Sequence, residues 1–184
     1  MRRVIVTEFL TLDGVYEEIS PWRAGFTPDD GPFKRDELFG SEALLLGRVT
    51  YDGFAAYWPT ATGAFAERMN SLPKYVATTR SDLEWNATPL GADVIGAVHG
   101  LKRQEGGTLL VYGSGTLVQT LLRHGLVDEL RVMVFPMVLG RGRRLFAEGD
   151  TLQLTLKDSR DLGSGVLLLI YTPDAAPHLV PLLD

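Results

Sequence analysis

A strand pattern that runs through a glycine turn into a helix is the feature that most constrains this chain. It occupies residues 109–126, LLVYGSGTLVQTLLRHGL. Residues 109–112 form an apolar run of strand length, while Gly113 and Gly115 allow a positive φ and a close approach of the backbone to a ligand. The first N–H groups of the helix have no partner within it and carry partial positive charge, so a phosphate placed there meets ready donors. The segment therefore predicts an anion site, with a nucleotide cofactor as the first candidate ligand.

The same turn also has a purely structural interpretation. Many strand-to-helix turns use glycine and serine only to cap the helix. The complete dinucleotide fingerprint of a Rossmann unit is absent, because Val118 stands where its third glycine would be and no acidic residue follows at the spacing that contacts a ribose. A dinucleotide bound here is therefore not bound as it is in a Rossmann fold.

Length and composition limit the classes of protein that remain. A chain of 184 residues fits one domain, predicted over residues 1–184, and can bury a core without disulfides or a structural metal. The absence of cysteine excludes disulfides, thiolate metal sites and a cysteine nucleophile, and it is typical of a cytoplasmic protein. No metal site is predicted. The net charge of -5 argues against nucleic acid as a partner, and no apolar segment is long enough to span a membrane.

Strand and helix patterns alternate along most of the chain, which then ends in consecutive strands. The predicted strands are residues 4–10, 43–46, 74–78, 109–112, 128–139, 153–158 and 165–171, the last two joined by a Gly-Ser hairpin. The predicted helices are residues 33–39, 64–72 and 93–104, with two more that open after Gly47 and after the turn at 113–115. Residues 20–32 carry turn signals and are predicted to be an irregular, functional loop, and residues 173–184 a tail at the surface or against a partner. This order predicts an α/β fold with a mixed sheet.

Several short motifs occur together and in one order. They are Thr11-Leu12-Asp13-Gly14, Leu46-Gly47-Arg48-Val49-Thr50-Tyr51, the Gly-Ser-Gly turn, Gly125-Leu126-Val127-Asp128-Glu129-Leu130, Pro136-Met137-Val138-Leu139-Gly140-Arg141-Gly142 and Leu145-Phe146. With these motifs the chain resembles, over almost its whole length, the dihydrofolate reductase-like superfamily. The greatest likeness is to the reductase domain of the riboflavin-biosynthesis deaminase-reductase. The zinc-binding His and Cys pattern of the deaminase domain is missing, so the resemblance extends at most to the reductase half.

The resemblance implies both a fold and a cofactor. The fold is a three-layer α/β arrangement with a mostly parallel central sheet and an antiparallel C-terminal strand. NADPH lies across the carboxyl ends of the strands in this family, and members are often homodimers. The residues that match the family's cofactor contacts are Gly47, Arg48 and Thr50 for the phosphates, Thr79, Arg80 and Ser81 for the adenosine 2′-phosphate, and Gly113, Ser114, Gly115, Thr116 and Leu117 for the pyrophosphate.

Simpler roles exist for several of these residues outside the family. Arg48 can pair with a surface carboxylate, and Thr50 can cap a helix. The arginines at 141, 143 and 144 are interpreted as a solvated basic turn, although such a turn can also reach a substrate phosphate.

Two carboxylates are candidates for catalysis. Asp13 ends the first strand in the Leu-Asp-Gly turn, where it can orient a substrate or simply make the turn. Asp29 lies in a segment that resembles the one carrying the pterin-binding carboxylate of dihydrofolate reductases, although residues 31–32 depart from it. Trp22 and Tyr51 are the candidate substrate contacts, because their rings can stack on a flat heterocycle.

These observations together predict an NADPH-dependent reductase of a small heterocyclic substrate. The predicted activity is similar to that of 5-amino-6-(5-phosphoribosylamino)uracil reductase or dihydrofolate reductase. A non-catalytic nucleotide-binding member of the same fold and a flavin-binding reductase are the alternatives. The further expectations are a small-molecule substrate, a homodimer and a cytoplasmic location.

Overall fold

A single mixed sheet organises the chain in the computed structural model, which describes residues 1–146 and 151–174. Within these ranges the strands are β1 (Val4–Thr11), β2 (Ser41–Gly47), β3 (Lys74–Ala77), β4 (Ala87–Pro89), β5 (Thr108–Tyr112), β6 (Glu129–Phe135), β7 (Leu154–Asp161) and β8 (Leu167–Pro173). The helices are α1 (Ile19–Arg23), α2 (Gly31–Phe39), α3 (Arg48–Tyr57), α4 (Ala64–Ser71), α5 (Val94–Arg103) and α6 (Gly115–Arg123), and a 3₁₀ turn covers Trp58–Thr60.

The strand order is β4-β3-β2-β5-β1-β6-β8-β7. All neighbours from β4 to β6 are parallel, whereas β8 runs antiparallel to both β6 and β7. The predicted α/β class, with a mostly parallel sheet and an antiparallel strand at its C-terminal edge, is confirmed.

Alternation of side chains along the central strands builds the layers on the two faces. In β1, Val4 and Val6 join one buried cluster with residues of α5 and α6, whereas Ile5 joins a second cluster with residues of α2, α3 and α4. Central strands covered on both faces are mostly apolar, and the exceptions in β1 are Thr7, Glu8 and Thr11. The result is three layers, helix, sheet and helix.

An opening between β1 and β5 positions the site. β1 pairs with β5 only over its first half, with Val4 to Thr7 opposite Leu109 to Tyr112. On its other side β1 pairs with β6 from Ile5 to Thr11. Beyond Thr7, β1 therefore has no strand neighbour on the β5 side, and a cleft opens there at the carboxyl ends of the parallel strands.

Some boundaries differ from the sequence prediction. The strand predicted over residues 128–139 ends at Phe135, because Pro136 has no N–H to donate to a ladder. The helix predicted from residue 33 begins at Gly31 and takes Pro32 into its first turn, where a proline is tolerated. The segment predicted to be irregular over residues 20–32 contains most of α1, and the three-residue β4 carries no sequence pattern of its own.

No helix in the described ranges is long and apolar enough to cross a membrane. Of the tail predicted over residues 173–184, the structure describes only Pro173, which ends β8, and Asp174; the rest lies outside the described residues. A single domain over residues 1–184 stays a prediction.

Candidate active site

A cleft of about 1140 Å³ lies at the carboxyl ends of β1, β2 and β5. Its walls are the turns that follow β2 and β5, the first turns of α3 and α6, and the second half of β1 with parts of α1 and α2. A concave site of this size at the carboxyl edge of a parallel sheet is where α/β proteins place their ligands. We call the part around Gly47 and residues 113–117 the turn region, and the part around Thr7, Glu8, Arg23, Asp30 and Lys34 the β1 region.

Direct hydrogen bonds join the two turns of the turn region. The backbone N–H of Gly47 donates to Ser114 Oγ over 2.8 Å, and Ser114 Oγ bonds Thr50 Oγ1 over 2.9 Å. This contact follows from the sheet, because β2 and β5 are parallel neighbours whose carboxyl ends meet at one edge. The structure thus brings together the residues predicted to contact the cofactor phosphates and pyrophosphate, all of which line the cleft: Gly47, Arg48, Thr50, Gly113, Ser114, Gly115, Thr116 and Leu117.

The backbone of the second turn takes the conformation that its glycine sequence allows. Gly113 has φ 53° and Ser114 φ 71°, so two consecutive residues lie in the left-handed region before α6 begins. A Cβ on Gly47 would lie 3.1 Å from Ser114 Cβ, which is tighter than ordinary packing permits. A larger residue at position 47 would therefore push the two turns apart.

Two helix N-termini face the cleft without side-chain caps. Neither Gly47 at the start of α3 nor Ser114 at the start of α6 makes a side-chain hydrogen bond to its own helix. The first N–H groups of both helices therefore receive no hydrogen bond from the side chain of their own N-cap residue, and the helix dipoles add partial positive charge at the same place. This donor set fits the phosphates of a nicotinamide dinucleotide.

Two arginines of the cofactor prediction share one carboxylate at the rim of the cleft. Arg48 Nη1 lies 3.1 Å from Asp52 Oδ2, and Arg80 Nη1 lies 3.0 Å from Asp52 Oδ1. Arg80 also pairs with Asp82 over 3.1 Å. Arg48 lines the cleft, and so does Ala77, the last residue of β3. Just beyond β3, the segment Thr79, Arg80 and Ser81 is exposed to solvent.

The Asp13 carboxylate links the turn after β1 to the loop at residues 139–140 by hydrogen bonds. It accepts hydrogen bonds from Thr11 Oγ1 at 2.7 Å, from the backbone N–H of Leu139 at 3.2 Å and from that of Gly140 at 2.9 Å. The Thr11 hydroxyl and the two N–H groups lower the pKa of Asp13 to about 2. Asp13 does not line the cleft, so the geometry supports its turn-making role and gives no support to catalysis.

Asp29 and its neighbour Asp30 face different surroundings. Asp29 is exposed and does not line the cleft. Asp30 does line it, and its Oδ2 lies 2.6 Å from Arg23 Nη2. The carboxylate that the start of α2 presents to the cleft is thus one residue beyond the predicted one.

Both predicted substrate contacts, Trp22 and Tyr51, are buried core residues that do not line the cleft. Trp22 packs edge to face on Phe135, with ring centroids 5.2 Å apart, and its Nε1–H donates to the carbonyl of Glu17 over 2.8 Å. The Tyr51 hydroxyl bonds both the carbonyl and the N–H of Glu84. The geometry therefore gives no support to either as a substrate contact, because tertiary packing uses both rings and both polar atoms elsewhere.

Glu8 is a cleft residue that the sequence analysis did not single out. Its side chain is buried, with 2% of the residue exposed, and its Oε1 has no hydrogen-bond partner among the described residues. Burial raises the pKa of Glu8 to about 8, against the opposing effect of the Lys34 charge. The available signal was a carboxylate in the middle of an otherwise apolar strand, since such a residue is rarely buried without a function or a partner.

Lys34 contributes a positive charge to the β1 region, in addition to that of Arg23. Its Nζ bonds Thr7 Oγ1 and lies 3.0 Å from Glu37 Oε2, while Glu37 Oε1 lies 3.2 Å from Arg131 Nη1. The nearby Tyr112 hydroxyl is buried without a partner in the described part of the chain, and burial raises its pKa. No local pattern in the sequence links these residues, because they come from four separate elements, β1, α2, β5 and β6.

The sequence is similar to a known protein family. A family model for the RibD C-terminal domain matches residues 2–168. The uncharacterized protein YyaP of Bacillus subtilis (strain 168) is 30% identical over 181 residues, which cover 92% of this chain and 94% of YyaP. YwjB, an uncharacterized protein of the same organism, is 25% identical over 128 residues, which cover 69% of this chain and 71% of YwjB.

Solved structures show the same fold. A protein from Shewanella sp. PV-4, described as a riboflavin biosynthesis protein, superposes with a TM-score of 0.75 at 19% identity, covering 94% of this chain and 99% of that one. A dihydrofolate reductase from Enterococcus faecalis, complexed with NADP(H), superposes with a TM-score of 0.62 at 15% identity, covering 94% and 96%. The dihydrofolate reductase-like fold predicted from the motifs is therefore confirmed, and the chain belongs to the RibD C-terminal domain family.

Proposed function

We propose that this protein is an NADPH-dependent reductase of a small heterocyclic substrate. The observation that carries the proposal is the turn region, where the hydrogen bond from Gly47 to Ser114 sets two uncapped helix N-termini side by side on one cleft. Two helix N-termini side by side provide more backbone N–H donors than a turn that serves only to cap one helix.

The rim of the cleft supports the choice of a phosphorylated cofactor. Arg48 and Arg80 converge on Asp52, so their guanidinium groups lie within reach of one anion. Guanidinium groups bind phosphate oxygens through paired hydrogen bonds, and we assign the 2′-phosphate of NADPH to this pair. NADPH, when bound, supplies the hydride for the reduction.

The β1 region is suited to a flat substrate with a polar edge. The faces of Phe9 and Tyr112 lie near the Lys34 ammonium, at 5.0 and 5.4 Å from their ring centroids, so apolar and charged surface alternate there. Small-molecule sites combine such apolar walls with a few polar groups that fix orientation. The chain's own residues would then bind the ring, orient its polar edge and exclude water from the reacting atoms.

Several finer expectations stay predictions. These are the homodimer, the cytoplasmic location, the individual cofactor contacts, and roles in the site for Asp13, Asp29, Trp22 and Tyr51. For the last four, the described geometry favours structural or surface roles.

The test is a titration of the protein with NADPH and with NADH, followed by nicotinamide fluorescence. We expect NADPH to bind at least about tenfold more tightly, as hydrogen bonds to a charged group imply, and Arg80→Ala to bring its affinity down to that of NADH. Arg103→Ala is the matched control, because Arg103 is exposed at the end of α5 and does not line the cleft.

Two outcomes would overturn the proposal in different ways. If neither nucleotide binds, the family fold is present here without its cofactor. If NADPH binds but is not oxidised with any member of a pterin, pyrimidine and carbonyl panel, the protein is a nucleotide-binding member without catalysis. A yellow preparation with bound flavin would point instead to the flavin-binding alternative.

A further inference from the structure

We propose that Glu8 is the acid that delivers a proton to the substrate, a role that rests on the reductase function proposed above. The unpartnered oxygen of its buried carboxyl lies in the β1 region of the cleft, where β1 has separated from β5. Because Glu8 lines the cleft, a ligand that enters the β1 region lies next to this residue.

The strand geometry explains why a carboxyl can be buried at this place. Glu8 lies opposite Val132 of β6, but the β5 side of β1 has no neighbour beyond Thr7. By the alternation of the strand, the Glu8 side chain leaves the sheet on the face of Val6 and Leu10, beside the gap where β1 has no β5 neighbour. Glu8 is buried at this gap, and it is also one of the residues that line the cleft.

Comparison with the other carboxylates that line the cleft favours Glu8. Glu17 pairs with Arg143, which holds the pKa of Glu17 below its usual range. Asp30 pairs with Arg23 over 2.6 Å, and Glu18 is exposed to solvent. Glu17 and Asp30 thus already have arginine partners within the protein. Among the cleft carboxylates of the described chain, Glu8 alone is buried with an oxygen that lacks a partner.

Three more residues that line the cleft have a polar atom buried without a partner among the described residues. These atoms are Arg23 Nε, Trp58 Nε1 and the Tyr112 hydroxyl. Buried polar groups are nearly always hydrogen-bonded in folded proteins, so four such atoms in residues that line one cleft indicate that polar ligands complete them. The expected ligand has an acceptor for the Arg23 N–H and an atom that can receive the proton from Glu8.

The charges that face Glu8 allow it to be neutral before the reaction and ionised after it. Lys34 from α2 contributes a positive charge that lowers the pKa of Glu8, and Lys34 shares the Glu37 carboxylate with Arg131. Arg23 is paired with Asp30. Tyr112 adds a neutral hydroxyl, because burial raises its pKa. Burial keeps the free carboxyl protonated, and the Lys34 ammonium stabilises the carboxylate that remains once the proton has left.

This proton transfer would complete a reduction in which bound NADPH would supply a hydride to the carbon of a C=N or C=O bond in the substrate. The O–H bond of Glu8 breaks, its electron pair stays on the carboxylate, and the proton forms a new bond with the substrate nitrogen or oxygen. Solvent then returns one proton to Glu8, so each turnover consumes one NADPH and one proton.

The test uses Glu8→Gln, which keeps the size and neutrality of the protonated side chain, with Glu67→Gln on the exposed surface of α4 as the matched control. With the substrate found by the panel above, we expect the kcat of Glu8→Gln to fall about 100-fold or more, as loss of a general acid implies. The NADPH Kd and the substrate KM stay within about twofold. The wild-type kcat declines above pH 8, and the variant lacks this limb.

A second readout needs no turnover. In the folded protein Glu8 keeps its proton up to about pH 8, whereas in the unfolded chain it loses the proton above pH 4.5. The contribution of this proton to the free energy of unfolding is therefore largest below pH 4.5 and declines as the pH rises to about 8. Urea unfolding should show this decline in the wild type and in Glu67→Gln, and a flatter profile in Glu8→Gln.

The outcomes separate the two proposals. Absence of NADPH binding or of turnover in the wild type would overturn both the reductase function and the role of Glu8. Turnover by the wild type with a kcat for Glu8→Gln within about threefold would overturn the role of Glu8 alone. The same holds if wild type and Glu8→Gln show the same pH dependence of stability, because Glu8 would then titrate as an ordinary carboxyl.

Discussion

The backbone N–H of Gly47 donates a hydrogen bond of 2.8 Å to the hydroxyl of Ser114, a residue 67 positions further along the chain. The bond joins the turn after β2 to the turn after β5, and it uses a donor that a helix N-terminus would otherwise leave unpaired. The two turns therefore behave as one unit, and a change in either turn should alter the affinity of a ligand that contacts both.

Ser114→Ala tests this coupling. The substitution removes the acceptor for Gly47, and we expect the free energy of unfolding to fall by about 1 kcal/mol and the NADPH Kd to rise about tenfold. Urea unfolding and nicotinamide fluorescence measure the two effects. Ser71→Ala is the control, because that hydroxyl bonds the carbonyl of Arg68 at the exposed end of α4. An unchanged Kd in Ser114→Ala would show that the ligand does not sense this bond.

Asp52→Asn tests the arginine pair at the rim. Asp52 occupies Arg48 and Arg80 in the free protein and places a negative charge where a 2′-phosphate would bind. We expect NADPH to bind about two- to fivefold more tightly to the variant and NADH to bind unchanged, since exposed ion pairs are weak competitors. Glu67→Gln makes the same change in net charge at a distance. Weaker NADPH binding to Asp52→Asn would show instead that Asp52 holds the arginines in their binding positions.

The sequence predicted those parts of the site that depend on local backbone. The turn at residues 113–115 needed only an apolar strand, two glycines and an amphipathic helix, and all of these are adjacent in the chain. The alternation of strands and helices likewise predicted a mostly parallel sheet, which in turn places the carboxyl ends of β2 and β5 together. The local pattern and the tertiary structure agree here because the same residues determine both.

The β1 region, and the positions of the two rings predicted to contact the substrate, depend on contacts that the sequence does not encode locally. Trp22 and Tyr51 have the chemistry of ring-stacking contacts, but whether a ring faces a cleft or a core is decided by packing on remote residues such as Phe135. Helix α2 begins two residues earlier than predicted, and this start determines that Asp30, and not Asp29, lines the cleft. The pairing of Lys34 with Thr7 links residues 27 positions apart and follows only from the packing of α2 on β1.

Asp13→Asn tests the loop-fastening role. A carboxylate with a pKa near 2 in the folded state and near 3.8 in the unfolded state contributes stability that is present above pH 4 and lost as the pH falls through 2. We expect the variant to be less stable than wild type at pH 7 and the difference to shrink toward pH 2 in urea unfolding. The NADPH Kd should stay within about twofold, because Asp13 does not line the cleft.

Asp36→Asn is the control for this measurement, since Asp36 is exposed on α2. Equal acid sensitivity of Asp13→Asn and wild type would contradict the role assigned to the hydrogen bonds from Thr11, Leu139 and Gly140. A large loss of NADPH affinity in Asp13→Asn would show that Asp13 contributes to cofactor binding.

Lys74→Met tests a buried cation on the far side of the sheet from α6. Lys74 is fully buried at the start of β3, where its Nζ donates to the carbonyl of Asn70 and lies 4.0 Å from the centre of the Trp85 ring. Burial lowers the pKa of Lys74 to about 8, so between pH 8 and 10.5 the unfolded chain holds a proton that the folded protein has released. The wild type should therefore gain stability relative to Lys74→Met as the pH rises through this window. Urea unfolding of both proteins at matched pH values measures the difference, with Lys157→Met on exposed β7 as the control. A difference that does not change with pH would mean that Lys74 stays charged in the folded protein, held by the Asn70 carbonyl and the Trp85 ring.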